Sequence, residues 1–397
     1  QKGDPDKAAQ LCRDALRADA GDLLMRVLLG TALVRLHAFA EAEVELRKAL
    51  DSKPNIPKAL RELSAALFAQ GKGDEAVGCL QRIVDIDPGK SISHFDLSSA
   101  FARIGKHEEA QAALQESFRL DPKRQNLFEA IRLQRDGRPK DAEMRLREIL
   151  RDDPTNVTAT RALGSIALEE GRYKLATRLL RNAVKLAPDY FAAWVELSRA
   201  LTEFELFDDA RDAVAELVKL EGSLAYPYVL LGNLESKVGD YEAAVTAFEA
   251  ALDRQADNGG ALAGLGHALK TVGRQEQAID RYRSCVQRYP TFGEAWWSLA
   301  NLKTFRFSDD EVAVMEQHVD EERLGDETRV NINFALGKAY EDRGDYDKAF
   351  HRYDMGNQLR RPHEVYDPVQ NEALHDQINE MITPQFIEEN ASHAEQR

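Results

Sequence analysis

An alanine returns through this chain at one fixed step: Ala8, Ala42, Ala76, Ala110, Ala142, Ala176, Ala210, Ala244 and Ala278 stand 34 residues apart, except for one interval of 32. A proline column, Pro54, Pro88, Pro122, Pro154, Pro188 and Pro290, slips by the same two residues at the same place, and its last interval of 102 is three times 34. Two columns sharing one slip belong to one repeat. A repeat of this length denies the chain a single central core, because each unit must bury its apolar side against its neighbours.

Residues 225–256 show the unit. Tyr228, Leu231 and Gly232 fall at i, i+3, i+4 on one helix face, and Ala244, Phe248 and Ala251 at i, i+4, i+7 on a second. Gly239 and Asp240 break the chain between them. The small columns at Gly232 and Ala244 let two antiparallel helices approach, Leu231 and Phe248 fill the remaining space, and proline closes the second helix because its ring cannot continue a helix interior. Tyr228-x-x-Leu231-Gly232 followed by Ala244-x-x-x-Phe248 resembles the tetratricopeptide repeat, and Trp194-x-x-Leu197 and Trp296-x-x-Leu299 repeat its opening. The resemblance implies an all-α fold, a right-handed superhelical solenoid of antiparallel helix pairs, with room for about eleven units. The expected segments are 1–22, a second helix (Ala8, Cys12, Ala15) without its first; 23–302, the regular array; 303–329, a rebuilt and lengthened repeat; 330–361, the last repeat; and 362–397, a connecting helix.

The remaining composition narrows function mainly by exclusion. The sequence holds no apolar run of membrane-spanning length and no charged-then-apolar leader, so neither a membrane partner nor secretion is expected. Cys12, Cys79 and Cys285 are odd in number and far apart, which reads as buried free thiols in a reducing compartment, the cytoplasm. Of the net charge of −15, residues 306–397 supply −12 (22 Asp or Glu against 10 Lys or Arg), which leaves −3 for residues 1–305 and argues against nucleic acid as a partner. Gly264-x-Gly266 continues to Leu269 where a phosphate loop requires its third glycine, Gly71-Lys72-Gly73 and Gly105-Lys106 lack the upstream glycine of a P-loop, and the nine histidines form no H-E-x-x-H pair. No catalytic residue, metal site or cofactor site is expected within the chain.

A surface remains. In proteins that resemble this one, the first helix of each unit lines a concave groove where peptides or partner helices dock. The residue after the Gly232 column reads Thr31, Ala65, Ser99, Ile131, Ser165, Arg199, Asn233, His267, Asn301, Lys338; four residues earlier the same face reads Val27, Arg61, Phe95, Leu127, Arg161, Val195, Val229, Ala263, Trp297, Phe334. Asn233 and Asn301 can donate to and accept from a peptide backbone whatever its side chains. Arg61, Arg103, Arg161 and Arg199 offer charge-assisted bonds to carboxylates, and Tyr226, Lys237, His267, Lys270, Trp297 and Lys338 complete the candidate groove. The carboxylate clamp of chaperone-binding repeats is not reproduced, since Val229 and Ala263 occupy its places.

The repeat breaks after Trp296-Trp297-Ser298-Leu299-Ala300-Asn301-Leu302, read as an ordinary first helix. Val312 stands where the next alanine is due, Ser308 with Glu311 makes a capping box, and register returns at Leu336-Gly337 with Ala349 and Tyr353, 71 residues after Ala278 or 34 plus 37. The runs WWSLANLKTFRFSDDEVAVM (296–315) and FALGKAYEDRGDYDKAFHRYDMGNQLRR (334–361) resemble the junction in bacterial sulfotransferases that carry tetratricopeptide repeats. That resemblance implies a recruiting arm for a catalytic domain that transfers sulfuryl from the nucleotide PAPS. The strand and donor loop of that domain do not occur before Arg397, so PAPS belongs to a domain outside this chain. Val365, Leu374, Ile378, Met381, Ile382 and Phe386 form a helical stripe ending near Pro384 that would either dock on such a domain or close the last repeat. A free-standing interaction scaffold and the arm of a glycosyltransferase are the alternatives.

Overall fold

The structure, a computed structural model of the chain, describes residues 5–321, 323–363 and 368–386. It is helical throughout, with no strand among the described residues, and it divides into two compact units, Gln1–Ser223 and Leu224–Arg397. The first unit opens on a lone second helix, α1 (Pro5–Ala18). Five helix pairs follow: α2 (Leu23–Arg35) with α3 (Phe39–Ser52), α4 (Pro57–Ala69) with α5 (Gly73–Ile86), α6 (Ser91–Arg103) with α7 (His107–Leu120), α8 (Pro122–Arg135) with α9 (Pro139–Asp152), and α10 (Val157–Glu169) with α11 (Tyr173–Leu186). A sixth pair, α12 (Phe191–Glu203) and α13 (Phe207–Glu221), ends the unit. The second unit holds α14 (Tyr226–Val238) with α15 (Tyr241–Arg254), α16 (Gly259–Thr271) with α17 (Gln275–Arg288), then α18 (Gly293–Ala300), α19 (Asp309–His318), α20 (Asp326–Asp342), α21 (Tyr346–Arg360) and α22 (Pro368–Met381). This is the tetratricopeptide repeat architecture of stacked antiparallel helix pairs.

Each pair closes on one contact. The column Gly30, Ser64, Ser98, Ala130, Gly164, Ser198, Gly232, Gly266, Ala300, Gly337 is small and buried throughout. A Cβ placed on Gly266 would lie 2.5 Å from the Tyr282 ring, and one on Gly232 2.6 Å from Phe248, so the large side chain of the second helix rests directly on the backbone of the first. The two-residue slip has an equally local cause: α7 and α8 are joined by Asp121 alone, which caps α8 through the Lys123 and Arg124 amides, with Pro122 as its first residue.

Turns between paired helices need a left-handed residue. Gly71, Gly105, Gly137, Gly171, Gly239, Gly273 and Gly344 supply it, while His37 (φ 58°) and Glu205 (φ 59°) hold it without glycine's freedom. Within each unit successive pairs meet chiefly through a second helix packed on the first helix of the following pair, first helices meet one another in places (α2 with α4, α10 with α12, α14 with α16), and second helices show no comparable packing on one another. Second helices are joined instead by ion pairs six residues short of a full repeat: Arg13 to Glu41, Arg47 to Glu75 and Arg181 to Asp209 in the first unit, Arg283 to Glu311 in the second.

The rebuilt repeat corrects one expectation. The first helix before the break is not ordinary: α18 has 8 residues against 13 in α16. The chain leaves the helix at Asn301, and Phe305 and Phe307 turn inward to fill the vacated space, their rings edge to face at 4.9 Å with Phe307 6.0 Å from Trp296. The Ser308–Glu311 capping box starts α19, both bonds being present, and Val312 is buried in the alanine's place. With α19 cut to 10 residues and α20 extended to 17, α18 packs on α20 so closely that a Cβ on Gly293 would lie 2.6 Å from the Thr328 carbonyl oxygen.

At the C-terminal end α22 stops at Met381, short of Pro384, and has no substantial packing partner among the described helices. Val365 lies outside the described residues; Leu374, Ile378, Met381, Ile382 and Phe386 are exposed, as is Val369. Tyr346 and Phe350 of α21 are also open to solvent, at 70% and 74%, so α22 does not close the last repeat. The three cysteines are free and buried, and burial pushes the Cys285 thiol up to about 12. No described helix is long and apolar enough to cross a membrane.

Two substitutions test these packing arguments. Gly293→Ala must move backbone rather than a flexible side chain and is expected to cost about 1–3 kcal/mol in chemical denaturation. His37→Gly removes left-handed strain and is expected to add up to roughly 1 kcal/mol, the strain relieved less glycine's entropy.

Candidate functional site

The first helices of the second unit carry the most open polar column. Asn233 on α14 is exposed, and its amide has no partner among the described residues. Asn301 is exposed too, but it sits at the C-cap of the shortened α18 rather than on a continuing helix face; its backbone N–H bonds the Trp297 carbonyl at 3.0 Å and its side chain is left unpaired. His267 on α16 lies between them and is already held: Tyr282 Oη donates to Nδ1 at 2.9 Å and Nε2 donates to Glu294 at 3.1 Å. The bond from His267 holds the Glu294 carboxyl below its ordinary range, and burial raises the Tyr282 hydroxyl well above its own. Both ring nitrogens of His267 are therefore spoken for, and it orients the column rather than reading a ligand.

Trp297 packs on Phe334 with centroids 5.6 Å apart, forming an aromatic floor beneath that column. Lys270 and Tyr226 are exposed at the two ends of their helices, and Lys237 is exposed on the last turn of α14. Lys338 is paired with Asp342, which also meets Arg306 at 3.4 Å, so it is a structural cation.

In the first unit the four candidate arginines divide. Arg161 is committed: its Nε donates to Tyr190 Oη at 2.9 Å, it pairs with Glu196, and both charged side chains are largely buried. Arg61 reaches Asp96 at 3.5 Å, and Arg103 lies 4.5 Å over the Phe68 ring. Arg199 is exposed beside Glu196. Burial raises the carboxyl of Glu196, with Arg161 opposing, and one Glu196 oxygen is left without a hydrogen-bond partner. The sequence does carry a signal for these counter-ions, since Arg61 to Asp96 and Arg161 to Glu196 are each one repeat plus one residue. No group of metal-ligating side chains occurs among the described residues.

Family comparisons agree with this geometry. Tetratricopeptide repeat families match residues 27–91, 129–177 and 229–291 in one model, 92–124 in a second and 167–223 in a third. Cellulose synthase operon protein C of Xanthomonas axonopodis pv. citri (strain 306) is 34% identical over 132 residues, which cover 31% of this chain and only 9% of that relative's length. Among solved structures, yeast Tom70 aligns at TM-score 0.46 with 14% identity over 85% of this chain and 93% of its own. The Cut9–Hcn1 hetero-tetramer of the APC/C aligns at 0.45 with 18% identity over 66% and 52%, and MamA from Desulfovibrio magneticus RS-1 at 0.40 with 19% identity over 43% and 97%.

The Arg161–Glu196 pair generates a test with a pH signature. Arg161→Met leaves a buried carboxylate uncompensated and is expected to cost about 3–5 kcal/mol at neutral pH, whereas adding Glu196→Leu restores most of it. Glu196 has its folded value raised, so its contribution to stability is full in acid and is lost as pH rises from the ordinary carboxylate value through the raised one. The deficit of Arg161→Met should accordingly shrink on acidification, as followed by urea denaturation across pH.

Proposed function

We propose, from the premise that this chain belongs to the tetratricopeptide repeat family, that it is a protein-interaction scaffold holding an extended polypeptide along the first helices of its second unit. The observation that carries this reading is the pair of open amides at Asn233 and Asn301, placed two first helices apart over the Trp297–Phe334 floor. At 8–10 Å per helix spacing they stand roughly 20 Å apart. An extended chain crosses that distance in about six residues at ~3.3 Å each. An amide offers both donor and acceptor to a backbone, so such a groove binds a strand with little regard to its side chains.

The finer role we propose is the recruiting arm of a PAPS-dependent sulfotransferase, binding and orienting the acceptor while the chemistry resides in a further domain. It is supported by the junction at residues 296–361, which contains the rebuilt repeat 303–329, and by the exposed apolar stripe of α22, which would dock on that domain. Buried free thiols favour a cytoplasmic setting. The second reading, a free-standing assembly scaffold, is favoured by the likeness to a protein named for a cellulose synthase operon. Reading the gene downstream of Arg397 for a donor-loop strand separates the two.

Two outcomes follow. Asn233→Ala with Asn301→Ala is expected to weaken an extended partner about tenfold or more, each lost amide contact being worth about 0.5–1.5 kcal/mol, with helicity by circular dichroism unchanged. Unchanged affinity for a partner so identified would remove the inner-face assignment. Mixed with PAPS and an acceptor, these 397 residues are expected to show no sulfuryl transfer, and measurable turnover would place catalysis inside them.

A further inference from the structure

Helix α11 carries Lys174, Arg178, Arg181 and Lys185 and no acidic residue, in a chain of net charge −15. Its neighbours in the stack are mixed: α9 bears Asp141, Glu143, Glu148 and Asp152, and α13 bears Asp208, Asp209 and Asp212. The four cations fall at i, i+4, i+7 and i+11, a single stripe of about 16 Å at 1.5 Å per residue. Of these, Arg181 is answered by Asp209, while Lys174, Arg178 and Lys185 have no ion pair among the described residues.

The ion ladder between second helices explains how this came about. Where Arg13, Arg47, Arg181 and Arg283 each find an acid 28 residues on, Arg147 finds Leu175, and it falls back on Glu143 of its own helix at 3.0 Å. Leucine in that place strips α11 of its acid and adds apolar surface at its first turn.

That first turn opens into a cavity of about 830 Å³. Arg172, Lys174, Arg178 and Arg181 line it together with Phe204, which is partly exposed at the end of α12, and no carboxylate does. Thr177 lines it as well: the residue is 3% exposed, and its hydroxyl has no hydrogen-bond partner. That oxygen is itself closed off from the cavity, and of the cations Arg172 is paired with Glu143 and Glu170 and Arg181 with Asp209, which leaves Lys174 and Arg178 without an ion pair among the described residues.

We propose that the α11 face is a second binding site, separate from the inner groove, for an acidic polypeptide segment whose carboxylates meet Lys174, Arg178 and Lys185 and whose one large apolar side chain enters the cavity beside Phe204. The stripe is narrow and flanked by the acids of α9 and α13, which suits a single acidic segment and repels a broad polyanion such as duplex nucleic acid.

The probe is a fluorescein-labelled peptide of alternating Glu and Ala with one central Trp, measured by anisotropy at low salt, beside its Gln-for-Glu counterpart. The full chain is expected to bind the Glu peptide, to lose affinity as salt rises, and to bind the Gln peptide at least tenfold more weakly. Lys174→Glu with Arg178→Glu, both exposed and checked for helicity, is expected to weaken the Glu peptide tenfold or more. Asn233→Ala with Asn301→Ala should leave it unchanged, so failure here and failure of the inner groove are told apart. Absent binding at millimolar chain, equal binding of the Gln peptide, or indifference to the charge reversal would each overturn the proposal, as would tighter binding of a duplex DNA oligonucleotide than of the Glu peptide.

Discussion

The array rests on the small position of each first helix, and at five of its ten places, Gly30, Gly164, Gly232, Gly266 and Gly337, the side chain of a second helix lies on bare backbone. Tyr282 on Gly266 and Phe248 on Gly232 leave no room for even a methyl group. Once helices approach to that distance, the alanine column falls into contact of its own accord, and each finished pair presents an apolar flank that only another pair can cover. Burying an aromatic ring contributes about 1.5–3 kcal/mol, so no single unit stands alone and stability accumulates through stacking.

The rebuilt repeat shows how the contact survives a change of chain length. Ala300 keeps the small position at the very end of α18, after which helix is abandoned and two phenylalanines supply the volume that a further turn would have given. Its start was readable, since the Ser308–Glu311 box and the missing alanine at Val312 are local signals. The shortening of α18 was not, because Leu299, Ala300 and Leu302 continue an apolar helical pattern; the return of Phe305 and Phe307 onto Trp296 is a tertiary contact that no local pattern carries.

The candidate groove was legible to the same degree. Columns identified which side chains share a face, and Asn233 and the Trp297–Phe334 stack follow from them. What a column conceals is the neighbouring repeat. Arg161 has the charge and place of a ligand-binding group, yet Glu196 on α12 and Tyr190 at its N-cap already hold it, and His267 is held by Tyr282 and Glu294 in the same manner. A groove lined by one helix per repeat is a ladder of contacts between repeats, and only side chains that find nothing on the adjacent rung remain for a partner.

The two sides of each unit are also joined by different forces. Each second helix is packed against the first helix that follows it, whereas successive second helices meet chiefly through solvent-exposed pairs such as Arg13 with Glu41 and Arg47 with Glu75, each worth at most about 1 kcal/mol and screened by salt. Within a unit the packed zigzag of alternating second and first helices carries the array, and the row of second helices is stitched only by charge. Salt therefore acts on that outer row and leaves the packed zigzag in place.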